Sequence, residues 1–306
     1  MITLLPFEHE LVHLYKELDE KKSGVEREQI KKQIEIKLEK IYKNLTPYEI
    51  VEIARHPNRP QTVDYIKEIL SDFVEIKGDR ILGDDRAIIA GIGRFKGLSV
   101  TVIGSNKGHT TLERLKNNSG MIGPSGFRKI ARAVDMASNT FKTPILTFVD
   151  TPGARVSSET EKEGSVAAFA EPVKAFLKAS VPVLSVVIGE GGSLGALSLL
   201  VSDRILMLRY SYLSVISPEV GASVLFKDRS MKKEVASALK ITSRDLLNLN
   251  IINGTIDEPF TGAHRNPELT IETVREALHK EFETLLKETP RDLMKRRAEK
   301  FKKFQI

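Results

Sequence analysis

The sequence contains no cysteine and no tryptophan among its 306 residues. Without cysteine the chain forms no disulfide, offers no thiol nucleophile and supplies no thiolate ligand for a structural zinc ion. Without tryptophan, and with no segment in which basic and aromatic residues alternate, it lacks the usual pattern of a nucleic-acid-binding surface. We therefore expect neither a metal site in this chain nor a nucleic-acid partner, and a cytoplasmic location is the default.

Long hydrophobic runs are also missing, and no apolar segment approaches the length of a membrane-spanning helix. Residues 1–13 show no basic segment followed by an apolar core, so we expect no secretory signal. The composition, 41% hydrophobic and 29% charged, predicts one large domain with an appendage. The net charge of +6 comes partly from basic runs near the C-terminus. Such runs are either a solvated face or a surface for anionic partners, such as coenzyme A phosphates or an acidic protein.

The most informative segment that is present spans residues 183–197, where an apolar stretch meets four glycines within seven residues. This pattern predicts a buried strand over 183–188, a tight glycine turn and a helix packed closely behind it. Glycines there let a ligand approach backbone N–H groups at a helix start, and such groups stabilise an oxygen that gains negative charge. Gly191 and Gly192 are therefore our candidate oxyanion-hole residues. The competing interpretation is that the glycines only permit close packing of helix on strand.

A second glycine turn, residues 150–154, follows a predicted strand over residues 145–149. Pro152 fixes this turn and Gly153 opens its backbone. In a layered α/β sheet the two turns fall at the same edge, where ligands collect. We expect Asp150 to cap the turn that follows it.

Five further polar positions follow predicted strands, and each has a structural and a functional interpretation. Ser217 is expected to cap a helix and Glu219 to complement its dipole, with a catalytic carboxylate as the alternative. Lys107 and His109 either contact a phosphate or carboxylate group or belong to a solvated loop. Ser193 lies just past the glycines without the elbow motif of a serine nucleophile, which favours a helix-start role.

Strand and helix patterns alternate along the chain, which predicts an α/β fold with crossover connections. Before them, residues 8–45 carry one narrow apolar stripe, typical of two helices divided at Ser23-Gly24. We predict an N-terminal helical arm and connector over residues 1–60 and a second domain over residues 61–306. The arm either packs on its own domain or, as we favour, grips another subunit. The other predicted elements are helices over 63–73, 123–141, 161–178 and 271–304, with a kink or interruption at Pro172, and strands over 87–95, 98–103, 205–208 and 213–216, with a hairpin turn at Lys96-Gly97.

A collinear set of motifs extends over nearly the whole chain. Among them are Arg59-Pro60, Gly78-Asp79-Arg80, Lys107-Gly108, Asp150-Thr151-Pro152-Gly153-Ala154, Gly189-Glu190-Gly191-Gly192-Ser193 and Ser217-Pro218-Glu219. Together and in this order they resemble the carboxyltransferase alpha subunit of bacterial acetyl-CoA carboxylase. The resemblance implies a crotonase-like ββα spiral, with the N-terminal helical arm and C-terminal helices attached. It also implies transfer of a carboxyl group from carboxybiotin, on a biotin carrier protein, to acetyl-CoA, giving malonyl-CoA for fatty acid biosynthesis.

The same resemblance implies that the amides of Gly191 and Gly192 hold the biotin ureido oxygen as its negative charge grows. The residues expected to surround the cofactor are Gly153, Ala154, Gly189, Ser193, Leu194, Gly195 and Val220. The implied partners are a carboxyltransferase beta subunit of the zinc-ribbon type, in an α2β2 heterotetramer, a biotin carboxyl carrier protein and biotin carboxylase. Coenzyme A enters as the thioester substrate, and no membrane partner is implied.

The sequence departs from the family pattern near these turns. Leu194, Val220 and Val156-Ser157 stand where the family commonly has glycine or Pro-Gly. Branched residues are disfavoured in glycine turns that carry backbone strain. The alternatives are therefore a divergent paralogue with altered acyl-CoA preference, another acyl-CoA enzyme of the same fold, or a non-catalytic scaffold for a carboxyltransferase beta subunit.

Overall fold

The computed structural model describes residues 4–20 and 24–303, in which helices and strands alternate as the sequence predicts. The helices are α1 Val12–Glu20, α2 Gly24–Lys43, α3 Pro47–Ala54, α4 Thr62–Ile69, α5 Thr111–Lys116, α6 Pro124–Asp135, α7 Ser158–Lys162, α8 Ser165–Lys178, α9 Ser193–Leu200, α10 Pro218–Phe226, α11 Lys232–Ala238, α12 Ser243–Asn248, α13 Pro267–Leu285 and α14 Pro290–Lys302. The strands are β1 Ser71–Glu75, β2 Ile88–Phe95, β3 Leu98–Ser105, β4 Ile145–Thr151, β5 Val183–Gly192, β6 Arg204–Leu208, β7 Tyr212–Ser214 and β8 Gly254–Ile256.

The strands form one mixed sheet in the order β1-β2-β3-β4-β5-β6-β8, and β7 pairs with the end of β5. The β1–β2 and β2–β3 pairs are antiparallel, whereas β3, β4, β5, β6 and β8 run parallel. The β2–β3 hairpin turns at Lys96-Gly97, both at positive φ, as that dipeptide predicts. Because the carboxyl ends of parallel strands meet at one edge, the segments that follow β3, β4 and β5 converge there.

Apolar side chains cover both faces of this sheet. Phe127 on α6 and Phe176 on α8 belong to the core on one face, and Tyr65 on α4 and Phe282 on α13 belong to the core on the other. Both β4 and β5 are buried along their whole length. Burial on two faces explains why their sequences are nearly continuous apolar runs rather than alternating ones.

The N-terminal hairpin of α1 and α2 contacts the sheet domain of its own chain. The Tyr42 ring packs edge to face on Tyr210, with centroids 6.0 Å apart. The buried carboxylate of Glu8 accepts hydrogen bonds from the Tyr42 hydroxyl and from Arg265, at 2.9 and 2.7 Å. A division of the chain at residue 60 and a grip on another subunit stay predictions. Ser23, at the predicted helix break, lies outside the described residues.

Three predicted elements differ from the structure. The helix predicted over 63–73 ends at Ile69, because residues 71–75 form the edge strand β1 against β2. Helix α8 continues through Pro172, and the interruption falls instead at Gly164, whose φ is +75°. Packing of α8 along α6 compensates for the backbone hydrogen bond that proline removes. The strand predicted over 213–216 is observed as β7, Tyr212–Ser214, which begins and ends earlier. The helix predicted over 123–141 is observed as α6 followed by a short π-helix, Met136–Phe141. The helical segment predicted over 271–304 is observed as two helices, α13 and α14, with Phe304 outside the described residues.

A buried ion pair ties α14 to the sheet at the edge opposite the converging strand ends. The Arg297 guanidinium is fully buried and donates to both carboxylate oxygens of Asp203, at 3.0 and 2.6 Å. It also donates to the backbone carbonyl oxygens of Phe176, in α8, and of Ala179 and Val181, ahead of β5. Asp203 accepts a further hydrogen bond, at 2.8 Å, from the N–H of Val183 at the start of β5. This pair therefore fixes the last helix against the amino end of the central strand.

Replacing Arg297 with methionine leaves the Asp203 carboxylate buried without its cation. We expect Arg297→Met to lower the free energy of unfolding by about 3–5 kcal/mol, the usual cost of removing one partner from a buried ion pair. Urea denaturation followed by circular dichroism measures the change. Lys295→Met, on the same helix but 71% exposed, is the matched control and should leave the stability within about 0.5 kcal/mol of wild type.

Candidate functional site

The glycine-rich segment is the end of a strand rather than an open turn. Strand β5 continues through Gly192, and α9 begins at the next residue, Ser193, whose φ is +47°. Residues 190–192 pair with β7, and Gly191 also pairs with Thr151 on β4. The predicted tight turn is therefore wrong, because the short strand β7 keeps these glycines extended. The helix-start role predicted for Ser193 is confirmed.

The two glycine segments, residues 150–154 and 189–195, lie against each other at the edge of the sheet where the parallel strands end, as predicted. A Cβ on Gly192 would come 2.1 Å from the carbonyl oxygen of Pro152, and a Cβ on Gly195 would come 2.6 Å from the carbonyl carbon of Gly153. Side chains do not approach a backbone this closely, so this packing requires glycine at both positions. The close-packing interpretation of the glycines therefore holds whatever else they do.

The predicted site residues form a buried backbone layer and an exposed rim. Buried are Gly153, Gly189, Gly191, Gly192 and Gly195; Ala154 is half-buried; Ser193, Leu194 and Val220 are exposed. No side chain caps the start of α9, so its first-turn N–H groups have no side-chain acceptor there. Uncapped amides at the positive end of a helix dipole are suited to hold an oxygen that carries negative charge.

Beneath the glycines, Glu190 is buried in a polar cluster that the sequence analysis missed. The Lys107 Nζ lies 2.9 Å from Glu190 Oε2 and 2.8 Å from Asp150 Oδ1. The N–H of Glu190 also donates to Asp150 Oδ1, at 2.8 Å. Asp150 therefore bridges to the neighbouring strand and does not cap its own turn, where the hydroxyl of Thr151 accepts from the N–H of Gly153 instead. One ammonium group thus joins the ends of three adjacent parallel strands.

Arg55, which directly follows α3, binds the other side of this cluster. Its guanidinium donates three 2.8 Å hydrogen bonds, to Glu190, to Glu219 and to the hydroxyl of Tyr212. Glu219 also accepts a hydrogen bond from the hydroxyl of Tyr48, at 2.8 Å. The Glu219 carboxylate therefore links α10 to α3 and β7, in addition to lying in the first turn of a helix. Arg55 carried no sequence signal, since 135 positions separate it from Glu190.

The charges of this cluster hold one another ionised. Burial by itself raises the pKa of Glu190, but Lys107, Arg55 and the Tyr212 hydroxyl outweigh burial and lower that pKa from 4.5 to about 2. Burial likewise disfavours the charged form of Lys107, yet Asp150 and Glu190 raise its pKa above the ordinary value. At neutral pH, Glu190 is therefore a carboxylate and Lys107 is an ammonium group.

The depressed pKa of Glu190 predicts a pH-dependent stability. A carboxylate of this kind stabilises the fold above its unfolded pKa, and the contribution is lost as the pH falls through the folded pKa. We expect wild type to exceed Glu190→Gln by roughly 3 kcal/mol at neutral pH. The gap should close between pH 4.5 and about 2. Urea unfolding across this range measures it, with the exposed Glu276→Gln as control, and a gap independent of pH would contradict the assignment.

Ser217 and His109, the remaining predicted positions, bind groups of their own chain. The Oγ of Ser217 accepts from the N–H of Val220, which confirms the predicted helix cap. The ring of His109 lies 2.8 Å from the carboxylate of Asp64 at the surface.

Within residues 4–20 and 24–303, no three His, Asp or Glu side chains are grouped to hold a metal ion. No helix in the same ranges is long and apolar enough to cross a bilayer.

Helix α10 exposes a run of apolar side chains. They are Val220, Val224, Leu225 and Phe226, which are 52%, 67%, 68% and 52% exposed and are called the α10 face below. This helix follows β7, the strand that pairs with the glycine segment. Leu194 and Leu197 on α9 are also partly exposed, at 44% and 41%. Apolar groups exposed together in a folded chain indicate an interaction surface.

Two grooves of the isolated chain are lined by other residues. One, about 1010 Å³, is lined by residues that include Tyr42 and Phe260, between α2 and α12. Another, about 540 Å³, is lined by residues that include Arg59 and His109. The glycine segments contribute to neither groove, although their rim is exposed.

Comparison with known proteins gives a consistent result. A family model described as acetyl co-enzyme A carboxylase carboxyltransferase-like matches residues 4–305. The acetyl-coenzyme A carboxylase carboxyl transferase subunit alpha of Carboxydothermus hydrogenoformans is 42% identical over 309 residues, covering 98% of this chain and 95% of that protein. The subunit of the same name from Aquifex aeolicus is also 42% identical, covering 97% and 95%.

Solved structures with the same fold are more distant in sequence. Transcarboxylase 12S superposes with a TM-score of 0.62 at 19% identity, covering 78% of this chain but only 44% of its own. A Pseudomonas malonate decarboxylase hetero-tetramer bound to coenzyme A gives a TM-score of 0.57 at 16% identity, covering 70% and 85%. The expected crotonase-like ββα spiral, flanked by helices at both ends, is confirmed as the fold.

Proposed function

Because this chain belongs to the family of acetyl-CoA carboxylase carboxyltransferase alpha subunits, we propose that it transfers a carboxyl group from carboxybiotin to acetyl-CoA, forming malonyl-CoA. The observation that carries the proposal is the 42% identity to a named alpha subunit along 98% of the chain. Among the alternatives, a divergent paralogue or a scaffold, none gains support from the names of the relatives.

We assign the stabilisation of developing charge to Gly191 and Gly192. Carboxybiotin would supply the carboxyl group, and the amides of Gly191 and Gly192 would hold its ureido oxygen. Neutral amide donors suit this oxygen, because they stabilise charge as it forms without binding it permanently. The uncapped start of α9 lies directly beside Gly192, so its dipole favours the same charge.

The other residues of the segment are proposed to shape the cofactor site. The buried backbone at Gly153, Gly189 and Gly195 forms a closely packed wall of the site. The exposed Ser193, Leu194 and Val220, with the half-buried Ala154, form the rim that the biotin ring would contact. No side chain of the rim is a base, so the proton of the acetyl methyl group has to be removed by a group outside this rim.

We propose that a beta subunit completes the site. The two grooves described above are not lined by the glycines, and a second chain would provide the opposite wall of the site. The α10 face lies next to the strand that pairs with the glycines and is apolar enough to bury against that chain. A malonate decarboxylase of the same fold is itself a hetero-tetramer. An α2β2 assembly in the cytoplasm, a zinc-ribbon beta subunit, a biotin carboxyl carrier protein and biotin carboxylase complete the proposal.

Co-expression with the candidate beta subunit tests this function. The purified complex is assayed for malonyl-CoA-dependent carboxylation of free biotin, the reverse of the proposed transfer. We expect the complex to turn over and each chain alone to be inactive, since each supplies part of the site. A tight complex without turnover would support the scaffold alternative, and faster turnover with a longer acyl-CoA would support altered specificity.

A further inference from the structure

We propose that Lys107 is a positioning residue that holds the two glycine segments in their relative places by binding Asp150 and Glu190 together. The inference rests on the proposed function, since the segments it positions are those assigned to the biotin oxygen. Asp150 directly precedes Thr151-Pro152, and Glu190 directly precedes Gly191. A cation that fixes both carboxylates therefore fixes the backbone on both sides of the site.

The contacts of Lys107 are suited to this role. Its Nζ reaches the two carboxylates at 2.8 and 2.9 Å, and the side chain is 16% exposed. The stem is closely packed as well, because a Cβ on Gly120 would come 2.8 Å from the Lys107 Cγ. A buried ammonium with two short ionic contacts and a packed stem has little freedom to move.

Other charged or titratable groups also face the cluster. On the Asp150 side, the buried Arg59, between α3 and α4, interacts electrostatically with Asp150. Arg55 follows α3, Tyr212 lies in β7 and Glu219 lies in α10. All three act on the Glu190 side. No contact from them reaches Asp150 among the hydrogen bonds and ion pairs of the described residues. Without Lys107, no cation would contact both the Asp150 and the Glu190 carboxylates, and their repulsion would be opposed only by Arg59 on one side and Arg55 on the other.

Repulsion between those carboxylates would act on the closest backbone contact of the site. The glycine segments meet where a Cβ on Gly192 would lie 2.1 Å from the Pro152 oxygen. Any movement apart changes the direction of the amides that follow Glu190. Dipoles that act on charge formed in the transition state affect kcat rather than substrate binding, and their effect is sensitive to such displacement. Loss of Lys107 should therefore lower kcat much more than it raises KM.

The test compares Lys107→Met with the double variant Lys107→Met/Glu190→Gln, each in complex with the beta subunit. We expect the single variant to lose about 100-fold in kcat. Its KM for malonyl-CoA should stay within about threefold of wild type. Its activity relative to wild type should rise as the pH falls, because protonating one carboxyl removes the repulsion. The double variant removes that repulsion at every pH. Its kcat should be about tenfold higher than that of the single variant, and its activity relative to wild type should not change with pH.

Arg297→Met is the control, because it also removes a buried cation but at the opposite sheet edge. A Lys107→Met complex whose kcat falls no further than that of Arg297→Met, or whose ratio to wild type ignores pH, would overturn the proposal. Backbone hydrogen exchange at residues 150–154 and 189–195 supplies a readout that needs no activity. Relative to the rest of the sheet, exchange there should accelerate in Lys107→Met and not in Arg297→Met, whose loss of stability accelerates exchange throughout the fold. If the wild-type complex lacks transfer activity, the proposed function fails, and the exchange result still decides the positioning role.

Discussion

Substituting alanine for Gly192 is expected to reduce the kcat of the complex by about 10²–10³-fold, the loss seen when one oxyanion donor is displaced. The added Cβ would lie 2.1 Å from the carbonyl oxygen of Pro152 and 2.4 Å from its carbonyl carbon. Both obstacles are backbone atoms, so no side-chain rotation relieves the clash. The two glycine segments have to separate, and the amides at the start of α9 move with them. Steady-state carboxylation of free biotin measures the loss.

A matched substitution separates this effect from a general loss of stability. Gly83→Ala adds the same methyl group at a position with no atom within 4 Å and no positive φ. We expect it to retain wild-type kcat. Gly192→Ala should cost about 1–3 kcal/mol of stability, as overpacking usually does, and should still bind the beta subunit. If Gly192→Ala turned over like wild type, the proposed oxyanion site would have to lie elsewhere.

Placing charge on the α10 face is expected to abolish assembly. In Val224→Asp/Phe226→Asp, two apolar side chains that are more than half exposed in the isolated chain become carboxylates. Each apolar side chain buried at an interface contributes roughly 1.5–3 kcal/mol. The double variant should therefore weaken binding of the beta subunit by at least about 100-fold. Titration by analytical ultracentrifugation or biolayer interferometry measures the affinity.

The folded state of this variant should be unchanged, since both positions already face solvent. Val74→Asp provides the comparison, because Val74 is 69% exposed on β1, at the far edge of the sheet from β5. It should bind the beta subunit like wild type. Equal affinities for the two variants would show that the beta subunit binds another surface.

The order of the elements was accessible from sequence because burial on both faces leaves a strong pattern. Strands β4 and β5 are unbroken apolar runs, and the β2–β3 hairpin follows from one Lys-Gly dipeptide. The end of β5 was not accessible. Four glycines in seven residues are typical of a turn, and only a partner strand that occurs 20 residues later, β7, extends them. Tertiary pairing thus overrides a local signal.

The site was accessible in part for a similar reason. Collinear motifs located the glycine segments, and the close approach at Gly192 explains why glycine stands there. The ionic cluster beneath them was hidden, because Lys107, Asp150, Glu190, Arg55 and Glu219 lie on or just after five separate elements, and no sequence pattern pairs them. In the sequence, Glu190 stands within a glycine motif and Arg55 within the predicted connector. These residues meet only in the folded chain, at the carboxyl ends of the parallel strands.

The pairing of Arg297 with Asp203 has a consequence for how the protein is made. A ribosome delivers the carboxylate 94 residues before its guanidinium, a delay of roughly 5–20 s at ordinary rates of translation. During that interval the nascent polypeptide has its central strands but carries an acidic group that no cation neutralises. The end of the sheet at which β5 begins has to stay hydrated until α14 has been synthesised. Folding of this part of the sheet can therefore be completed only after α14 has been synthesised. A chaperone would bind the nascent chain before that point.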